Sequence, residues 1–262
     1  MTKKLVLRVS FHMLVAGTVM LLGSVADAQL YEYNFDGGSI LNTGSAADGD
    51  LTPFGPNANA GNTPGFVASR TDSNGVTRTD LYDFSVGGGT RSYFFSDIGN
   101  QTIANYTVNM WVRTDNVTPP SQFSSVFMND TFQINNTAGE WNYRGSNTPF
   151  GDVEDDIWQM LTITNDGTDT RLYVDAVLGA TLGDVGNPFN EIGIGINRAR
   201  DNNGRFLGDI DDVMILDAAL SDSQILALYN QGVSVPEPAS IAIWSLLGLC
   251  LAGFGYRCVR RK

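Results

Sequence analysis

Between residues 29 and 235 the chain has no histidine, no cysteine and no lysine. Its only histidine, His12, lies near the start, and both cysteines, Cys250 and Cys258, lie near the end. These absences exclude Ser-His-Asp and Cys-His nucleophilic catalysis, His/Cys zinc sites and Schiff-base chemistry from the central stretch. A phosphate-binding P-loop is excluded for want of its lysine. Without a disulfide, an exported body must rest on packing, hydrogen bonds or a metal. Positive charge is scarce as well. Of 16 basic residues only nine arginines fall in this stretch, against 27 carboxylates counting Glu237, a balance of about −18. So acidic a body lacks the basic footprint that nucleic acid or anionic lipid needs. It suits a soluble, extracytoplasmic domain able to bind cations.

The two ends read as targeting segments. Lys3, Lys4 and Arg8 precede and flank an apolar stretch from Phe11 to Val25, followed by Ala26-Asp27-Ala28. That order predicts a signal peptide over 1–28, cut between Ala28 and Gln29. The absence of a cysteine at the cut argues against a lipid-modified N-terminus. Near the other end, residues 239–256 carry no formal charge and are followed by Arg257, Arg260, Arg261 and Lys262. An 18-residue helix reaches about 27 Å, close to the roughly 30 Å of a bilayer core, so this segment is expected to span as a transmembrane helix. The basic cluster would stay cytoplasmic and place the body on the far side. About 200 residues remain between the ends, enough to bury about 70% of their unfolded surface in one core.

Val235-Pro236-Glu237-Pro238, the apolar run and the terminal arginines, in that order, resemble the PEP-CTERM sorting signal of Gram-negative bacteria. The resemblance assigns residues 233–262 to that signal and implies recognition at Pro236, Glu237 and Pro238 by an exosortase. The implied partners are the exosortase and the export machinery, with the inner membrane as a transient anchorage. The implied destination is the cell surface or an exopolysaccharide matrix. The two prolines cannot donate ladder hydrogen bonds, which keeps the tripeptide extended and open to a protease.

Turn signals punctuate the body, among them Asp36-Gly37-Gly38, Asn74-Gly75, Asp166-Gly167 and Asn203-Gly204. Between them lie short alternating runs. Tyr106, Val108, Met110 and Val112 fall on one face of a half-buried strand. Further strands are expected at 158–164, 171–174, 191–196 and 209–216, with Asp166-Gly167 turning a hairpin. One helix is expected from the Ser221-x-x-Gln224 capping box, with Ile225, Leu228 and Tyr229 as its stripe and Gly232 beyond its end. The opening Tyr31 to Asp36, the Trp111 strand, the 158–175 hairpin and the Gly208 to Ile215 strand with its helix resemble the laminin-G-like, concanavalin-A-like jelly roll. The resemblance implies an all-β sandwich over 29–232 with one short C-terminal helix. One departure is Ala176, where the family's hairpin usually has glycine.

The candidate sites are few. Asp152, Glu154, Asp155 and Asp156 form the densest carboxylate cluster, and a jelly-roll glycosidase or lyase would need an acid and a base. They lack the alternation of a catalytic strand and read better as a solvated loop, so no catalytic residue is expected and the domain is read as non-enzymatic. Related sandwiches tie first and last strands through calcium, and the resemblance implies Asp36 and Asp211 as its ligands. Trp141 and Tyr143, at alternate strand positions, could stack on sugar, although such pairs more often belong to a core. Asn129 to Asn136 offers hydrogen bonds without specifying a partner, and Gly193-x-Gly195 reads as a closely packed strand. The expectation is an exported surface or matrix protein that binds carbohydrate or exopolysaccharide. A polysaccharide-degrading enzyme and a purely structural matrix protein are the alternatives.

Overall fold

A computed structural model describes residues 29–54, 63–85, 93–117, 123–185, 188–199 and 204–231. The expected signal peptide, the Pro236-Glu237-Pro238 tripeptide and the expected membrane helix lie outside these residues, so of the expected processing positions only Gln29 falls within them, as the first residue of β1. Among the described residues no helix is long and apolar enough to cross a membrane.

The strands run β1 (Gln29–Tyr33), β2 (Thr52–Phe54), β3 (Gly65–Thr71), β4 (Thr77–Asp83), β5 (Tyr93–Thr102), β6 (Tyr106–Thr114) and β7 (Ser124–Met128). They continue as β8 (Gln133–Thr137), β9 (Glu140–Tyr143), β10 (Thr148–Asp152), β11 (Trp158–Asn165), β12 (Asp169–Val174), β13 (Val177–Gly183), β14 (Pro188–Ile194) and β15 (Gly208–Leu216). The helix α1 (Asp222–Gln231) closes the described fold. Among the described residues two antiparallel sheets form. Sheet A has the order β13-β12-β11-β6-β15-β4-β3, with β1 also on β15, and sheet B the order β10-β9-β8-β7-β14-β5-β2. This is the expected jelly-roll sandwich.

Alternation explains the main core. Tyr106, Val108, Met110 and Val112 of β6 meet Ile134, Trp141 and Tyr143 of sheet B and Phe189, Ile192 and Ile194 of β14 in one buried cluster. Strand β6 departs from the half-buried expectation, because all nine of its residues are buried. Its other face carries Trp111, which joins Trp158, Met160, Tyr173 and Met214 beneath Ile225 and Leu228 of α1 in a second cluster. Trp111 stacks on Tyr229 of the helix, ring centroids 5.6 Å apart. The helix starts as its capping box requires, with Gln224 Oε1 accepting Ser221 N–H at 2.9 Å.

The β11–β12 hairpin turns at Asp166-Gly167 as expected, Asn165 facing Thr170. The first strand is shorter than expected, since Phe35 takes φ 56° and a 3-10 turn follows at Asp36–Gly38. Strand β15 carries a bulge between Asp211 and Met214, with Asp212 at φ 46°. A bulge places two successive residues against one partner and re-aims a side chain. Here both Asp211 and Asp212 reach Arg78 of β4.

Candidate functional site

Sheet B presents a polar outer face built by strand register. Gln133 begins β8, and its carbonyl accepts the N–H of Arg144 just beyond β9 at 2.9 Å. Two positions along β8, Asn135 lies opposite Asn142 of β9. Because successive strand residues point to opposite faces, Gln133, Asn135, Asn142 and Arg144 share the side away from Ile134, Trp141 and Tyr143. Asn135 is fully buried, yet neither its Oδ1 nor its Nδ2 has a hydrogen-bond partner.

After β14 the chain crosses this face. Gly195, at φ 78°, donates its N–H to Val126 O at 2.8 Å, and Arg198 donates its N–H to Gln133 Oε1 at 2.8 Å. Arg198 also donates through Nη1 to Thr131 O at 3.2 Å. A side chain at Gly193 would press on Met128, so the close approach of β14 and β7 depends on glycine there. The crossing encloses a cavity of about 230 Å³ lined by Phe123, Gln133, Arg144, Asn197, Arg198 and Ala199. The Arg144 guanidinium carbon sits 4.0 Å from the centre of the Phe123 ring, a cation–π contact that holds the fork in place. Gln133 and Asn197 are almost fully buried, and the two arginines are exposed.

The arginines of this cavity differ from most others in the fold. Arg70, Arg78, Arg113 and Arg171 all pair with carboxylates. Arg144 and Arg198 pair with none among the described residues. The cavity was not singled out in the sequence, because its residues come from four separate stretches. The one signal was local: two arginines in Asn197-Arg198-Ala199-Arg200 and one beside Tyr143, in a chain with few cations.

The residues expected from sequence lie elsewhere. Trp141 and Tyr143 are each 0% exposed, so neither can stack on a ligand. Their strand positions point between the sheets, where Trp141 Nε1 donates to Gln159 Oε1 at 2.9 Å and Tyr143 stacks on Phe132 at 5.0 Å. The sugar-platform expectation for this pair is therefore corrected.

Asp36 is exposed and accepts Asn34 Nδ2 at 3.0 Å. Asp211 is buried, accepts Arg78 Nε at 2.8 Å on Oδ2 and takes the Asp212 N–H on Oδ1. With both oxygens facing donors beside a guanidinium, Asp211 does not fit the calcium role expected for it with Asp36. Among the described residues no three carboxylate, histidine or cysteine side chains are grouped to hold a metal. Burial and the neighbouring Asp212 push the Asp211 carboxyl upward, and Arg78 opposes the shift.

The acidic run separates rather than converges. Asp152 ends β10, Asp155 bridges to Thr114, and Asp156, at φ 54°, binds Arg113 Nη1 at 2.7 Å. Arg113 also holds Asp209, which Arg70 grips from the other side, and burial lifts the Asp209 carboxyl to about 6 against both arginines.

Comparison with known proteins places this geometry. A family model for the concanavalin A-like lectin/glucanases superfamily matches residues 87–226, more than half of the chain. The chain belongs to that superfamily. Within it, the cavity sits on a lectin-like sandwich whose C-terminal segment, residues 234–262, matches the PEP-CTERM protein-sorting motif. That motif marks the chain for the exosortase route of Gram-negative bacteria.

Domain 4 of AbnA, a GH43 extracellular arabinanase from Geobacillus stearothermophilus solved with arabinotriose, is similar at TM-score 0.52 and 19% identity. The match covers 78% of this chain and 99% of that one. The botulinum neurotoxin serotype D binding domain is similar at TM-score 0.55 and 15% identity, covering 78% of this chain and 52% of that one. A type C toxin whose cell entry depends on two ganglioside molecules gives TM-score 0.56 at 13% identity, covering 78% and 51%. The chain thus spans about half the length of the toxin binding domains. At these identities the likeness is one of fold. Comparison with curated protein sequences found no match.

Proposed function

We propose that this protein is an exported carbohydrate-binding module, non-enzymatic, delivered through its signal peptide and processed at Pro236-Glu237-Pro238 by an exosortase. The observation that carries the binding reading is the cavity on the outer face of sheet B. It gathers the carboxamides of Gln133 and Asn197 with Arg144 and Arg198 on a lectin-like sandwich. Sugars are recognised by convergent donors and acceptors in a shallow concavity, which this arrangement supplies. The neighbouring Asn142, half-buried on β9, continues the polar row along the sheet.

At about 230 Å³ the cavity is smaller than the roughly 300–1,000 Å³ of drug-sized sites, which suits one sugar residue of a longer chain. The placement of the carboxylates supports a reading of binding rather than cleavage. Asp156 is held by Arg113 and Ser73, and none of the carboxylates lines the cavity.

The test is a glycan array with the full-length protein in mild detergent, followed by product analysis of any bound glycan. Binding without new reducing ends supports the module. Cleavage of a bound glycan would replace it with an enzyme, and absence of any binding would leave a structural matrix protein. Gln133→Ala is expected to weaken binding at least about tenfold, because it removes a hydrogen-bonding group that lines the site and anchors Arg198.

A further inference from the structure

Building on that reading of the sheet B cavity, we infer that its ligand is a glycan bearing a single acidic sugar, whose carboxylate Arg144 and Arg198 receive together. In a chain this acidic, a cation usually neutralises a nearby carboxylate, as Arg70, Arg78, Arg113 and Arg171 do. Two arginines without such a partner among the described residues meet in the cavity lined by Gln133 and Asn197.

Both are held ready. Phe123 supports the Arg144 guanidinium at 4.0 Å, and Arg198 is tied to Gln133 and Thr131. Guanidinium forks match carboxylate geometry, and a preorganised fork loses less freedom on binding. The flanking surface sets the limit of one acidic sugar. Asn142 beside the cavity is a half-buried, uncharged amide suited to sugar hydroxyls. Elsewhere sheet B carries Glu140 on β9 and Asp130 beside β8, whose carboxylate accepts Asn190 N–H at 2.9 Å. A run of uronates along the sheet would meet these charges, whereas one acidic residue among neutral neighbours would not.

The test uses trisaccharide pairs identical except for one terminal group: glucuronate against glucose, galacturonate against galactose, and mannuronate against mannose. Each is titrated calorimetrically into the full-length protein in mild detergent, with polygalacturonate as a further ligand. In at least one pair the acidic member is expected to bind about tenfold or more tightly than the neutral one. Arg144→Ala and Arg198→Ala should each bring that member down to the neutral level, and Arg144→Lys should recover part of the loss. Polygalacturonate should bind more weakly at low than at moderate salt, because screening relieves repulsion from the acidic body.

Equal binding of acidic and neutral members overturns the acidic assignment and leaves the sugar site standing. So does acidic-sugar binding that survives both arginine variants. Binding of no member of any pair, and of no glycan on the array, overturns both. The wild-type comparison within each pair stands even where a variant fails to fold, which thermal melting reveals.

Discussion

Asp175 and Ala176 occupy the centre of the β12–β13 turn with φ 51° and 62°, the left-handed pair that a two-residue hairpin turn needs. Aspartate tolerates that region, whereas alanine pays roughly 1–2 kcal/mol for it. The missing glycine therefore strains the turn without opening it, for Val174 still faces Val177. Ala176→Gly is expected to stabilise the fold by about 1 kcal/mol, less whatever entropy glycine gains when unfolded. A higher urea midpoint at unchanged slope would show it.

Asp175 carries a second consequence. Its Oδ1 accepts Met160 N–H at 2.7 Å, while burial pushes the carboxyl up to about 6 and Glu154 adds repulsion. An unfolded aspartate titrates near about 3.9, so the native state keeps this proton to higher pH. Its contribution to stability is full below the unfolded value and is lost as pH rises through about 6. Asp175→Asn keeps the acceptor and discards the charge. The variant should melt higher than the wild type at pH 7, with the gap closing near pH 4.

At the scale of elements, β15 shows how a local irregularity organises a face. Its bulge brings Asp211 and Asp212 to the same guanidinium of Arg78, which also lies 4.5 Å over Trp111 and 5.7 Å over Trp158. Two carboxylates share one buried cation, so removing the cation leaves both uncompensated. Arg78→Ala is expected to destabilise by about 3–5 kcal/mol, measured by chemical unfolding.

The strands that were legible are those whose residues alternate or are rich in β-branched and aromatic side chains, such as β6, β11, β12 and β15. Strand β8, Gln-Ile-Asn-Asn-Thr, offers one apolar residue and two asparagines, and its own composition argues for a turn. It is a strand because β7 and β9 supply ladders on both edges. Of the acidic run, Glu154, Asp155 and Asp156 lie beyond β10 as a loop would, whereas Asp152 ends that strand, and the asparagine-rich stretch conceals both a strand and a wall of the cavity.

On the scale of the molecule, charge and addressing act together. The tail motif directs the chain to the exosortase route. Replacing Pro236, Glu237 and Pro238 together by alanine should leave the protein in the membrane fraction, whereas the wild type is expected to be released. Fractionation with an antibody to the body reads this out, and release of the variant would show that the tripeptide is not the processing point.

Charge bias and the tail motif depend on local order along the chain, which is why the acidic body and the sorting tail could be read directly. So could the strands with a clean period of two. Whether a given face meets another layer depends on what is packed over it. The burial of both faces of β6, the loss of Trp141 and Tyr143 to the core and the turning of Asp211 to Arg78 therefore came only with the packed sheets. The cavity is the same case. Phe123, Gln133, Arg144 and Arg198 are far apart in the chain and become a site only where strand register and a crossing segment set them side by side.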